Sequence, residues 1–391
     1  MRRIAVVMLT LITALAMASG TATDSLSQEK QAGKKIEKFG EDMRAKEWKG
    51  KEWTTSEKRF IWRASDPWGG LLFHDFLVHF ADSVRAASGG RLDIKVFRTG
   101  AIVPAMETFD AVSKGTLDLG HAWPGYWKGK NEAFVAFASV PFGLDVEGYN
   151  IWYYERGGKE MLNDLYKPYG MVAFFCGNAG QELGIRSNKR ATKMEDFRGM
   201  RIRTVGWYQD ILTRLGVSVL PLAAPEIYLA LERGLIDACE FSSPALDLPQ
   251  GFHEITKWCI EPGVHQPSVQ CDIFINQKRW DELPGDLKAI VEICAKETQL
   301  WSWAWIENLN VKAIDEMGKK LEFVRMDDQT IAEFANTSKK YLDELAAKNP
   351  DVKKALDSQE QFKKDFAKWR EMRSGVAPWP IEDVGKGKLY Q

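Results

Sequence analysis

Arg203 sits late in the alternating run GMRIRTV, directly before the Thr204–Gly206 turn. A guanidinium at a strand exit could grip a carboxylate with two parallel hydrogen bonds, which a lysine ammonium cannot do. The competing reading is an exposed strand charge, and Arg201 on the same face fits that reading well. Glu240 leaves its own apolar run between Cys239 and Phe241. A carboxylate there could pair with an arginine, bind a cation, or cap the following turn. Glu182 is open to the same readings. Trp68, Trp123, Tyr126, Trp127, Trp207 and Phe241 fall in the same kind of loop. Such aromatics either wall off the apolar part of a small ligand or pack beneath their loops.

These residues need strands whose ends converge. RFIWRAS, RLDIKVF, TLDLGHAW, MVAFFC, GMRIRTV, VSVLPL and LIDACEF read as strands. HDFLVHFADSVRAAS, VPAMETFDAVSKG, YQDILTRLG and PEIYLALERG read as helices, closed by Gly89-Gly90, Gly115, Gly216 and Gly234. PGYWKGK reads as a loop and MEDFRG as a helical turn. The stretches AVSKGTLDLG and ALERGLIDACEF repeat one grammar of helix tail, glycine, apolar strand and exit. Alternating strands and helices predict an α/β fold of two lobes, each a mostly parallel sheet flanked by helices. Ligands bind outside the carboxyl ends of such strands. The exit loops are Ser65 to Gly69, His121 to Trp127, Cys176 to Glu182, Thr204 to Tyr208 and Glu240 to Asp247. From Asp286 to Met317 a helical pattern runs without Gly or Pro, roughly 50 Å long, enough to bridge both lobes. Trp301, Trp303 and Trp305 on it read as packing, and Thr330 to Trp369 as charged helix.

The 391 residues can bury a sizeable core, and the net charge of −1 gives no global reason to expect nucleic acid or an anionic membrane as partner. Met1-Arg2-Arg3, the apolar run Ile4 to Ala18 and the small residues after it predict a signal peptide over 1–22 and export to the periplasm. A charged linker follows over 23–58. The first lobe is expected over 59–178 plus about 268–300, and the second over 179–267 plus about 301–391 with the C-terminal helices. Cys176, Cys239, Cys259, Cys271 and Cys294 form neither a disulfide framework nor a metal motif and read as buried. The sequence has no G-x-S-x-G, H-E-x-x-H, P-loop or G-x-G-x-x-G, and its five histidines show no metal spacing. Binding is therefore favoured over catalysis, and no catalytic residue is assigned. If chemistry did occur, Glu182 and Glu240 would be the acid–base candidates.

GAIVPAMETFDAVSKGTLDLGHAWPGYWKGKNEAFVAFASVPFGL resembles the first lobe of the solute-binding proteins of tripartite ATP-independent periplasmic (TRAP) transporters. MEDFRGMRIRTVG, PEIYLALERGLIDACEF and GFHEITKW resemble them too, so the likeness runs from about Phe60 to Met326. The resemblance implies two lobes closing on a small organic acid, such as a 2-oxo or 2-hydroxy acid. It also implies delivery to the permease subunits of a sodium-driven transporter. The family's arginine clamp falls on Arg203, its following acid on Glu240 and the next aromatic on Phe241. Tyr126 and Trp127 match the Y-W loop of the 2-oxo acid branch, and Trp68 and Trp207 complete the expected ligand wall. Some relatives hold sodium through a Gln before the clamp strand and a Glu in a W-H-E-P-G turn. Here Glu182 and Gln266 exchange those types, which leaves Glu182, Phe241 and Gln266 as the sodium candidates. No other cofactor is implied. A sugar acid or aromatic acid, a secreted enzyme and a sensor subunit are the alternatives. The chain is expected as a monomer, or as a homodimer exchanging the tail Asp351 to Trp369.

Overall fold

The computed structural model describes residues 55–68 and 72–374. The expected signal segment 1–22, the linker up to residue 54, and Gly69 of the first exit loop lie outside these. The first sheet contains β1 (Phe60–Ser65), β2 (Leu92–Phe97), β3 (Leu119–Ala122), β4 (Met171–Asn178) and β10 (Gln270–Asn276), in the order β2-β1-β3-β10-β4. The second contains β5 (Ile185–Ser187), β6 (Arg201–Arg203), β7 (Ser218–Val219), β8 (Ala238–Cys239), β9 (Trp258–Glu261) and β11 (Glu322–Arg325). Its order is β11-β9-β5-β8-β6-β7. In each sheet one strand runs against the rest, β10 in the first and β5 in the second, so both sheets are mixed.

Period-two burial explains the first sheet. Phe60, Trp62 and Ala64 face inward on β1, while Ile61 between them is 67% exposed. Trp62, Ile94 and Ile273 meet Leu77, Phe80 and Val84 of helix α1 (Leu72–Ala87) in one apolar cluster. The long helix α11 (Gly285–Gly318) adds Leu287 and Val291 to that cluster, and its far end places Met317 against Cys259 of β9. Its 34 residues therefore reach from one sheet to the other, as the absence of Gly and Pro predicts. All five cysteines are buried and free. Among the described residues no helix is long and apolar enough to cross a membrane.

Besides the segment that carries α11, two short crossings join the sheets, 179–184 and 262–269, and they pair with each other. Ala179 N donates to Val269 O, Val269 N to Gly180 O, and Glu182 N to Gln266 O. The approach is close: a Cβ on Gly263 would lie 2.1 Å from Glu182 O. Two C-terminal helices follow, α12 (Asp328–Lys348) and α13 (Pro350–Ser374). Expected with the second lobe, α13 instead packs beside the first sheet. Gln359 Nε2 donates to Ala136 O at 2.8 Å, and Trp152 Nε1 to Ser358 Oγ at 3.0 Å. Buried Val352, Ala355 and Phe362 give it an apolar face for this docking. Two smaller expectations also change. PGYWKGK is a 3₁₀ helix over Pro124–Gly129, and Trp303 lies on the solvent side of α11, 36% exposed.

Candidate functional site

Arg203 is the last residue of β6 and only 2% exposed. Its Nε donates to Leu222 O at 3.1 Å, and its Nη1 donates to Glu240 O and Glu240 Oε1 at 2.9 and 3.1 Å. Phe241 presents its ring 5.8 Å from the guanidinium carbon. The parallel pairing of Arg203 with Cys239 brings the two exits side by side, which the sequence separates by two helices and a strand. Arg201, two residues earlier, is bound to Asp237 with its side chain 42% exposed, the ordinary strand charge expected of it.

Behind Glu240 lie Glu182 and His265. His265 Nε2 is 2.7 Å from Glu182 Oε2 and 3.7 Å from Glu240 Oε2, and Gln266 Nε2 donates to Glu182 Oε1 at 2.8 Å. The crossing geometry brings them together, because Glu182 sits on one crossing and His265 and Gln266 on the other. Tyr208 stacks on the imidazole at 4.7 Å between centroids. Burial pushes the Glu182 carboxyl up, opposed by its bond to His265. Burial also pushes Glu240 up, but the Arg203 guanidinium and His265 outweigh it and hold that carboxylate ionised. For His265, burial favours the neutral ring, yet the two carboxylates win and its pKa is raised to about 9. Two buried oxygens, Glu240 Oε2 and Gln266 Oε1, have no hydrogen-bond partner. Such orphans are rare in native interiors.

A small cavity of about 20 Å³ opens over this cluster. Its polar lining is Tyr126, Glu182, Arg203 and Gln266, and its apolar walls are Trp68, Phe73, Trp123, Val205, Phe241 and Val269. A single guanidinium thus meets an aromatic box, an arrangement that orients one anionic headgroup and encloses an apolar remainder. A larger groove of about 470 Å³, between α12, α13 and residues 140–143, contains none of these groups.

The structure gathers Trp68, Tyr126, Glu182, Arg203, Phe241 and Gln266 around one cavity, with Glu240 bonded to Arg203 at its edge. Trp127 and Trp207 are not among its lining residues. Trp127 packs into the core against Phe109 and Phe274, because three residues per 3₁₀ turn aim it away from Tyr126. Trp207, in helix α6 (Gly206–Arg214), donates from Nε1 to Glu132 Oε2 at 2.9 Å. The sodium candidates are also rearranged. The clustered ligand atoms belong to Glu182, Glu240 and His265, all within 4.8 Å of one another. The Gln266 amide nitrogen, rather than its oxygen, faces Glu182. His265 was missed because histidine spacing along the chain reveals only local metal motifs. Its one sequence signal was its place in the GVHQPS turn beside Gln266.

The chain is 30% identical over 292 residues to a monocarboxylate 2-oxoacid-binding periplasmic protein of Nostoc, covering 74% of this chain and 80% of the relative. A TRAP solute-binding protein of Colwellia psychrerythraea, solved with calcium and pyruvate, superposes with a TM-score of 0.78 at 29% identity. That match covers 81% of this chain and 98% of the other. A Bordetella bronchiseptica relative carrying calcium and picolinate gives a TM-score of 0.79 at 28% identity, covering 81% and 96%. These proteins are receptors, not enzymes. Residues 69–349 match the model of bacterial extracellular solute-binding protein family 7, and the chain belongs to that family of TRAP solute-binding proteins.

Proposed function

We propose that this protein is a periplasmic receptor that captures a small monocarboxylate, a 2-oxo or 2-hydroxy acid, on Arg203 and delivers it to a sodium-driven TRAP permease. The observation that carries the reading is one buried guanidinium lining an aromatic-walled cavity. A carboxylate entering it loses its hydration, and the Arg fork replaces that shell with directed donors. Among the described residues, the lining holds no second cation for a dicarboxylate.

A cation would fit beside the ligand by displacing the proton that the two carboxylates hold on His265. Hard cations take oxygen donors, and Glu182 with the unpartnered Glu240 Oε2 and Gln266 Oε1 supplies them. The Gln266 amide would need to turn its oxygen toward the ion. A bound sodium or calcium would supply positive charge to the ligand carboxylate. The residues themselves orient the acid, and Tyr208 and Phe241 shield the cluster from water. A larger aromatic acid is a second reading, favoured by the wall of Trp68, Phe73, Trp123 and Phe241.

Calorimetric titration of the chelator-treated protein with pyruvate and with picolinate, with and without sodium or calcium, tests the proposal. Saturable binding of either acid, strengthened by the cation, is expected. Binding of neither acid under any of these conditions overturns it.

A further inference from the structure

Among the described residues, Tyr126 brings the only hydroxyl group to the cavity lining, and its orientation is set by the neighbouring wall residue Trp68. Trp68 Nε1 donates to Tyr126 Oη at 3.0 Å. Trp68 is itself held twice. Its ring stacks on Phe73 at 4.5 Å and 17°, and its backbone N donates to Asp66 Oδ1 at 2.9 Å. The other oxygen of Asp66 lies 2.5 Å from His74 Nδ1. Asp66 is completely buried and His74 is 8% exposed, in the first turn of α1. The line therefore runs from His74 through Asp66 and Trp68 to Tyr126.

The chemistry of that line is directional. An indole nitrogen can only donate, so the Trp68 contact occupies a lone pair of the phenol oxygen. The phenol proton must then point away from Trp68, toward the cavity. Burial pushes the Tyr126 hydroxyl up to about 12, so it stays protonated and remains a donor. Arg203 also only donates, and the acceptor oxygens of the lining, on Glu182 and Gln266, are the ones assigned to the cation. A ligand with an acceptor oxygen next to its carboxylate satisfies both groups. One bearing a hydroxyl there must turn its own proton away from both donors, toward apolar walls or the Glu182 and Gln266 oxygens that face the cation.

Resting on the reading that a carboxylate binds at Arg203, we propose that the buried Asp66–His74 pair is a positioning device that makes the cavity prefer 2-oxo over 2-hydroxy acids. It does so by fixing Trp68 and, through it, the donor direction of Tyr126. Neither Asp66 nor His74 lines the cavity, so their effect on ligand choice passes through Trp68.

The test is calorimetric titration with pyruvate and lactate, which differ only at that oxygen, on the full chain and on His74→Phe, His74→Gln and Trp68→Phe. The wild type should favour pyruvate. His74→Phe should lower the pyruvate-to-lactate affinity ratio by about threefold to tenfold, the scale of one hydrogen bond. His74→Gln, whose amide can still donate to Asp66, should restore it. Trp68→Phe keeps the stack and removes the N–H, so it should lower the ratio even if His74→Phe fails to fold. A ratio unchanged in Trp68→Phe, or equal losses for both acids in the His74 variants, would overturn the inference while leaving carboxylate binding intact. A wild type that binds neither acid would overturn the reading beneath it as well.

Discussion

Replacing Arg203 by alanine is the perturbation whose consequence can be worked out furthest. At an effective dielectric near 20, unit charges about 4 Å apart attract by about 4 kcal/mol, and dehydration of the ligand carboxylate offsets part of this. Truncating one partner of a buried charge pair costs about 2–5 kcal/mol, because the other is left unpaired. Here a second loss adds to the first. The same Nη1 holds Glu240, which is 1% exposed and would then keep only His265, at 3.7 Å, as a nearby cation. The ligand would enter beside an uncompensated carboxylate, so the upper part of that range applies. The dissociation constant should rise by roughly a hundredfold to a few thousandfold, at about tenfold per 1.4 kcal/mol. Arg203→Lys should recover little of it, since one ammonium cannot serve Leu222 O, Glu240 O, Glu240 Oε1 and a ligand together. Calorimetry with pyruvate reads the change, and a melting curve confirms that the variant is folded. A folded Arg203→Ala protein with affinity within threefold of wild type would refute the reasoning.

Glu182→Gln should weaken calcium or sodium binding, measured by titration in the presence of ligand, by at least tenfold, since it removes the carboxylate beside Gln266. Unchanged cation affinity would place the ion elsewhere. Stability should fall on acidification between about pH 6.5 and 4 because of His121, which is fully buried and whose pKa burial depresses to about 4. The folded state binds fewer protons than the unfolded chain in that window, so this contribution is intact above it and is lost as pH falls, by about 3 kcal/mol. Denaturant titrations across pH should show the slope, and His121→Phe should flatten it. Gly263→Ala should destabilise the fold by about 1–3 kcal/mol in the same assay, because its Cβ would meet Glu182 O at 2.1 Å. A neutral result there would mean the crossings can separate freely.

Much of this architecture is written locally. Glycine stops after helices, period-two strands such as Phe60–Ser65, and the unbroken run of α11 each follow from neighbouring residues. The reversed strands β5 and β10 do not, because strand direction depends on where the chain re-enters a sheet after a distant crossing. The second sheet is harder still. β7 and β8 are two residues each, too short for a period to register. In the site, Arg203 and Glu240 were legible because each stands at a strand exit. His265 was not, since its partner Glu182 lies 83 residues away. Trp127 and Trp207 show the opposite error. Their type and place suit a ligand wall, but a 3₁₀ turn and a hydrogen bond to Glu132 direct them elsewhere.

The most direct measurement is a crystal structure of the protein with pyruvate and calcium. The account predicts a ligand carboxylate oxygen within about 3.2 Å of an Arg203 guanidinium nitrogen, enclosed by Trp68, Tyr126 and Phe241. A pyruvate bound in another groove, or an Arg203 side chain turned to bulk solvent in the occupied protein, would contradict it.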